Sequence, residues 1–141
     1  VWDIKSLDCL VTFRPPNPQA NATDEPAVHT IEPLPTDADH FVVCSRSSSA
    51  HSMTLRGQLV RTFSSGKREG GNFLCCATSP KGKWLYCAGE DGMLSCFNAS
   101  SGELDHTVQA SEKEVIGAHH HPHQNLLATY GGDGVLRLWR P

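Results

Sequence analysis

The feature that most limits the fold of this chain is an internal repeat. Residues 73–97 and 115–139 align at a constant offset of 42 without a gap: Pro80 meets Pro122, Gly89 meets Gly131, Asp91-Gly92 meets Asp133-Gly134, and Phe97 meets Trp139. Apolar positions keep the same register, with Phe73-Leu74 opposite Val115-Ile116 and Met93-Leu94 opposite Val135-Leu136. Each copy holds three short apolar runs separated by turn residues, and an Asp-Gly stands between the second and third. Asp-Gly between apolar runs predicts a tight β-hairpin, with positive φ expected at both turn positions. Hairpins are therefore expected for 84–88 with 93–97 through Glu90-Asp91-Gly92, and for 126–130 with 135–139 through Gly132-Asp133-Gly134. A unit this small cannot bury its own apolar face, so successive copies must stack.

A period of about 40–45 residues with a tryptophan strand resembles the blade of a WD40 propeller. The expected fold is all-β: about three propeller blades and part of a fourth. Taken in order, residues 1–13 read as the end of one blade, carrying the Trp2-Asp3 dipeptide. The chain thus starts in mid-blade, as a fragment of a longer protein would. Residues 14–27, with Pro15, Pro16, Pro18 and Pro26, read as an exposed loop, because proline removes ladder donors. Residues 28–63 form a degenerate blade, with strand runs at 28–34, 40–45, 50–55 and 58–63; 64–72 are a glycine-rich, charged loop. Blades at 73–108 and 115–139 follow. Trp2, Asp3, Asp91, Gly92, Phe97, Asp133, Gly134 and Trp139 hold the structural positions of the repeat. The expected core includes Leu85, Cys87, Leu94, Cys96, Leu127, Leu136 and Leu138. Since stacked blades cover both faces of a sheet, simple alternation of buried and exposed residues should be blurred.

Chemistry is sparse. Charged residues make up 19% of the 141 and the formal net charge is −3, unlike the basic footprint of a nucleic-acid domain. No direct sequence-specific nucleic-acid binding is expected. No apolar run approaches the roughly 18 residues of a membrane helix, and no signal-peptide pattern opens the chain. The six cysteines form no C-x-x-C pair, and Cys44, Cys75, Cys76, Cys87 and Cys96 lie in apolar runs. They read as small buried hydrophobes in a reducing compartment, with Cys75-Cys76 a packed strand and not a redox pair. Gly66-Lys67 lacks the other residues of a phosphate-binding loop, since Arg61 and Arg68 stand where Gly and Ser or Thr belong. His119-His120-His121 with His123 suggests a metal, but no acidic or cysteine ligand adjoins it in sequence and zinc spacing is absent. It reads as a surface turn. No metal site, cofactor or catalytic residue is expected. In many propellers the Asp of the tight turn joins a His, a Ser or Thr, and the Trp in a hydrogen-bonded set. Asp133, Thr129 and Trp139 supply three members here, but the Gly-His dipeptide is missing from every repeat.

Several runs carry a closer resemblance: Phe-Ser-Ser-Gly-Lys-Arg-Glu-Gly-Gly over 63–71, His-Phe-Val-Val-Cys over 40–44, Tyr-Cys-Ala-Gly-Glu-Asp over 86–91 and His-His-Pro-His-Gln-Asn-Leu-Leu over 120–127. They resemble the C-terminal propeller of the Smu-type WD40 splicing factors (suppressor of mec and unc family), across roughly residues 28–141. The resemblance implies a seven-bladed ring preceded by a LisH region that binds a RED-type partner. It further implies a place in the nucleus, in nuclear speckles, and a non-catalytic role in pre-mRNA splicing. A WD40 adaptor outside splicing, such as a ubiquitin-ligase substrate receptor, is the alternative. Lys67 and Arg68, in a loop with flexible glycines, are the candidate partner contact, because two cations can pair with acidic groups.

Overall fold

The computed structural model describes residues 1–16, 27–67 and 71–140. Arg68 and most of the proline-rich segment 14–27 fall outside them. Thirteen strands and no helix are present among the described residues. β1 (Trp2–Asp3) pairs with β2 (Asp8–Cys9) in a two-stranded sheet. β3 (Val28–Pro33), β4 (His40–Ser45), β5 (Ser49–Thr54) and β6 (Leu59–Ser64) form an antiparallel meander. A second meander comprises β7 (Phe73–Thr78), β8 (Trp84–Gly89), β9 (Met93–Asn98) and β10 (Leu104–Gln109). β11 (Val115–His120), β12 (Leu127–Gly131) and β13 (Leu136–Trp139) form the last sheet.

The two repeat hairpins match in register: Leu85 opposes Phe97 in β8–β9, and Leu127 opposes Trp139 in β12–β13. Their turns differ from the two-residue type that Asp-Gly suggests. The amide of Gly92 donates to the Gly89 carbonyl and that of Gly134 to the Gly131 carbonyl, each at 3.1 Å. Positive φ falls on the glycines alone, +70° at Gly92 and +72° at Gly134. The aspartates keep ordinary φ and act through their side chains: Asp91 Oδ1 accepts from the Met93 amide and Asp133 Oδ1 from the Val135 amide, both at 3.0 Å. Such a side-chain turn is what a short carboxylate offers a neighbouring backbone.

Stacking determines which residues are buried. Leu85 and Cys87 of β8 pack with Phe97, Cys76 and Phe73 against Val42, Cys44, Ala50 and Phe63 of the preceding sheet. Tyr86 and Ala88, on the opposite face of β8, pack with Leu94 and Cys96 against Val115, Ala118 and Leu127 of the following sheet. Leu85 through Gly89 are consequently all buried, the continuous pattern of a sheet covered on both sides. Phe97 sits edge-on to Phe63 and Phe73, with ring centroids 5.8 and 6.1 Å away. Leu85, Cys87, Leu94, Cys96 and Leu127 are buried as expected.

Leu136 and Leu138 are not. They are 64% and 61% exposed. β13 alternates, with Arg137 and Trp139 turned toward the β7–β10 sheet and Leu136 and Leu138 turned away. Among the described residues nothing packs on that outer face, so the core expected there is missing. Burial of an apolar side chain is a property of the neighbour as much as of the residue.

Candidate interaction surfaces

Each four-stranded blade has two ends. One carries the Asp-Gly turns and the loops between blades; the other carries the turns joining first to second and third to fourth strands. At the Asp-Gly end, charged groups answer one another. Arg46 places Nη2 and Nε 2.7 Å from Glu90 Oε1, and Asn72 Nδ2 donates to Glu90 Oε2 at 3.0 Å. Lys67 Nζ lies 2.5 Å from Asp91 Oδ2. In the last blade Arg137 Nη2 is 2.6 Å from Asp133 Oδ2, and the Ser111 hydroxyl donates to that same oxygen at 2.9 Å. The Arg137 guanidinium, then the Val135 amide and the Ser111 hydroxyl, hold the Asp133 carboxyl well below the usual carboxylate range.

Ser111 was not legible in the sequence as a site residue. It stands on the loop before the first strand of its blade and, besides bonding Asp133, its Oγ accepts from the Lys113 amide at 3.1 Å. The Trp139 indole N–H donates to Thr129 Oγ1 at 2.8 Å. Four polar residues thus form two bonded pairs, Ser111 with Asp133 and Thr129 with Trp139. In the preceding repeat, 42 residues earlier, Cys87 and Phe97 occupy the places of Thr129 and Trp139, and both are fully buried. There an apolar contact replaces a hydrogen bond.

The remaining expected positions are scattered. Trp2 is 64% exposed. Asp3 Oδ1 accepts from the amides of Lys5 and Ser6 and so shapes the β1–β2 turn. The cysteines are free thiols. Cys75 and Cys76 are adjacent in sequence but belong to opposite faces and separate cores. Burial pushes the Cys75 thiol up to about 12 and raises Cys87, and a hydrogen bond with Cys44, then burial, raises Cys76, so these sulfurs stay protonated and serve as packing groups. The histidine run is divided in the same way. His119 stacks on Tyr130 and His120 on Tyr86, with centroids 6.4 and 5.8 Å apart. His121 Nδ1 accepts from the amides of His123 and Gln124, both at 3.1 Å. Among the described residues no group of three or more His, Cys, Asp or Glu is placed to hold a metal.

The opposite end is built otherwise. The 79–84 turn of one blade and the 120–125 turn of the next flank a cleft of about 580 Å³. Ser79 Oγ accepts from the Trp84 amide at 2.9 Å and fixes the first wall; His121 fixes the second as described. Lys81 and Lys83 rim the cleft, and Lys83 Nζ sits 5.0 Å from the Trp84 ring centroid. Among the described residues no carboxylate lines it.

Comparison with known proteins places this arrangement. The family model "WD domain, G-beta repeat" matches residues 57–98 and 102–140, more than half of the chain. The chain belongs to the WD40 repeat family. It is 34% identical to the WD40 repeat-containing protein smu1 of Dictyostelium discoideum over 141 residues, 99% of this chain and 26% of that protein. It is 24% identical to the transcriptional corepressor LEUNIG_HOMOLOG of Arabidopsis thaliana over 70% of this chain and 13% of that protein. The crystal structure of the RRP9 WD40 repeats matches with a TM-score of 0.73 at 17% identity, over 84% of this chain and 37% of that one. The chain therefore spans about a quarter of the length of its smu1 relative. It comprises three blades of a WD40 propeller and part of a fourth, a fold whose members mediate protein–protein interaction.

Proposed function

We infer that this chain is part of a non-catalytic scaffold for nuclear pre-mRNA splicing, acting in spliceosome assembly or alternative splice-site choice. The observation that carries this reading is the 34% identity to smu1 along 99% of the chain. The geometry supports the non-catalytic part. Glu90, Asp91 and Asp133 at the Asp-Gly end are engaged by cations and amides, and the buried thiols are protonated, which favours structural roles for these groups. The full-length protein would bind splicing proteins, a RED-type partner among them, in the nucleus and its speckles. One contact would be the loop of Lys67 and Arg68, with Lys67 half-exposed and shared with Asp91.

Affinity recovery of the full-length protein from nuclear extract, followed by mass spectrometry, tests the reading. Enrichment of spliceosomal proteins and a RED-type partner is expected. Enrichment of ubiquitin-ligase subunits in their place would overturn it in favour of a WD40 adaptor outside splicing.

A further inference from the structure

We propose that the cleft between the 79–84 and 120–125 turns binds an acidic peptide segment of a partner protein. Charge is the first argument. At the Asp-Gly end Arg46, Lys67 and Arg137 each lie against a carboxylate of this chain. Lys81 and Lys83 meet none among the described residues, although both rim one concavity of a chain whose net charge is −3. Two lysines lining one concave surface, with no carboxylate partner among the described residues, offer a site for carboxylates.

The shape and remaining groups favour a peptide. Trp84 and Pro122 offer apolar walls to an aliphatic side chain, and the volume lies within the roughly 300–1,000 Å³ of ordinary ligand clefts. His123 and Gln124 add polar residues to the second wall. A nucleic acid would call for a longer basic track than two lysines provide.

The proposal rests on the scaffold reading in requiring a protein partner, and is independent of that partner's role in splicing. The test uses the full-length protein and a fluorescein-labelled peptide of alternating Glu and Leu, followed by anisotropy in low salt. The same peptide with Gln for Glu and an oligouridine RNA are the comparison probes. Expected are binding of the Glu peptide, weakened by about tenfold or more in the K81E/K83E variant and less in K81Q/K83Q, and little binding of the Gln peptide or the RNA. Failure of the Glu peptide to bind, equal binding of the Gln peptide, preference for the RNA, or unchanged affinity in both lysine variants with unaltered thermal melts would overturn the proposal. The two readings fail separately. Loss of the splicing proteins from affinity recovery with the Glu peptide still bound removes the splicing role and leaves the cleft. The reverse result removes the cleft alone.

Discussion

The two ends of the blades use the same kinds of residue to opposite effect. At the Asp-Gly end Arg46, Lys67 and Arg137 each meet a carboxylate of this chain, and the Arg46–Glu90 pair ties blade to blade. At the other end Lys81 and Lys83 meet no carboxylate among the described residues, and the surface is left with an electrostatic demand that a partner can satisfy. Internal pairing stabilises a fold, and its absence is what makes a surface receptive.

The comparison is broken most directly at Gly92. A Cβ there would lie 2.1 Å from the Ser111 carbonyl oxygen, and φ is +70°. Gly92→Ala should therefore cost roughly 2–5 kcal/mol, combining left-handed strain with a backbone clash. Gly134 has the same φ but open space around it, so Gly134→Ala should cost only about 1–2 kcal/mol. Denaturant midpoints of the two variants check the gap; equal losses would show that inter-loop packing at Gly92 is unimportant.

Asp133 sharpens the comparison through pH. Its carboxyl is held below its ordinary value of 3.8, so this site binds fewer protons in the folded chain than in the unfolded one in acid. The stability it contributes is present above that ordinary value and drains away as pH falls. Asp133→Asn should lower thermal stability at neutral pH and flatten the acid side of the stability–pH curve. A curve parallel to the wild type would mean that Arg137 and Ser111 do not act on this group.

Smaller effects are expected from single partners. Ser111→Ala should cost about 0.5–1.5 kcal/mol through its bond to Asp133. Lys67 and Arg68 changed together to Glu should leave the fold in place while weakening partner recovery from extract, more strongly at low salt. Recovery unchanged across a salt series would assign that loop to the tying role alone. At the cationic end, K81Q/K83Q should change the unfolding free energy least of all, within about 0.5 kcal/mol. A large loss there would show that these lysines stabilise the fold.

How much of this could be read from the sequence depends on how local each cause is. The β8–β9 and β12–β13 hairpins are legible because turn glycines and flanking apolar runs recur 42 residues apart. The turn type is not, since Asp91 and Asp133 work through side-chain bonds that a dipeptide rule ignores. Leu136 and Leu138 look like core because their apolar character is local, whereas burial needs a facing surface, and none lies there among the described residues. Ser111 escapes because a serine before a strand carries no signal until the Asp133 turn is folded against it. The cleft escapes for a related reason. The alignment sets Pro80 opposite Pro122 as equivalent turns, but equivalence in a repeat does not announce that the two turns face each other across a groove.

The interlocking at the Asp-Gly end also says what a transferable part of this molecule would be. Glu90 and Asp91 belong to one sheet, yet Arg46 lies in the sheet before it and Lys67 in the loop between. Asp133 likewise depends on Ser111, outside its own strands. A sheet cut out at its own borders would leave half of each pair behind. The matched repeats, 57–98 and 102–140, take in the last strand of one blade, the linking loop and three strands of the next. Duplication or engineered exchange along those staggered borders carries Lys67 together with Asp91 and Ser111 together with Asp133. The matched repeat is out of phase with the blade, so each one carries the strand and loop that join it to the blade before.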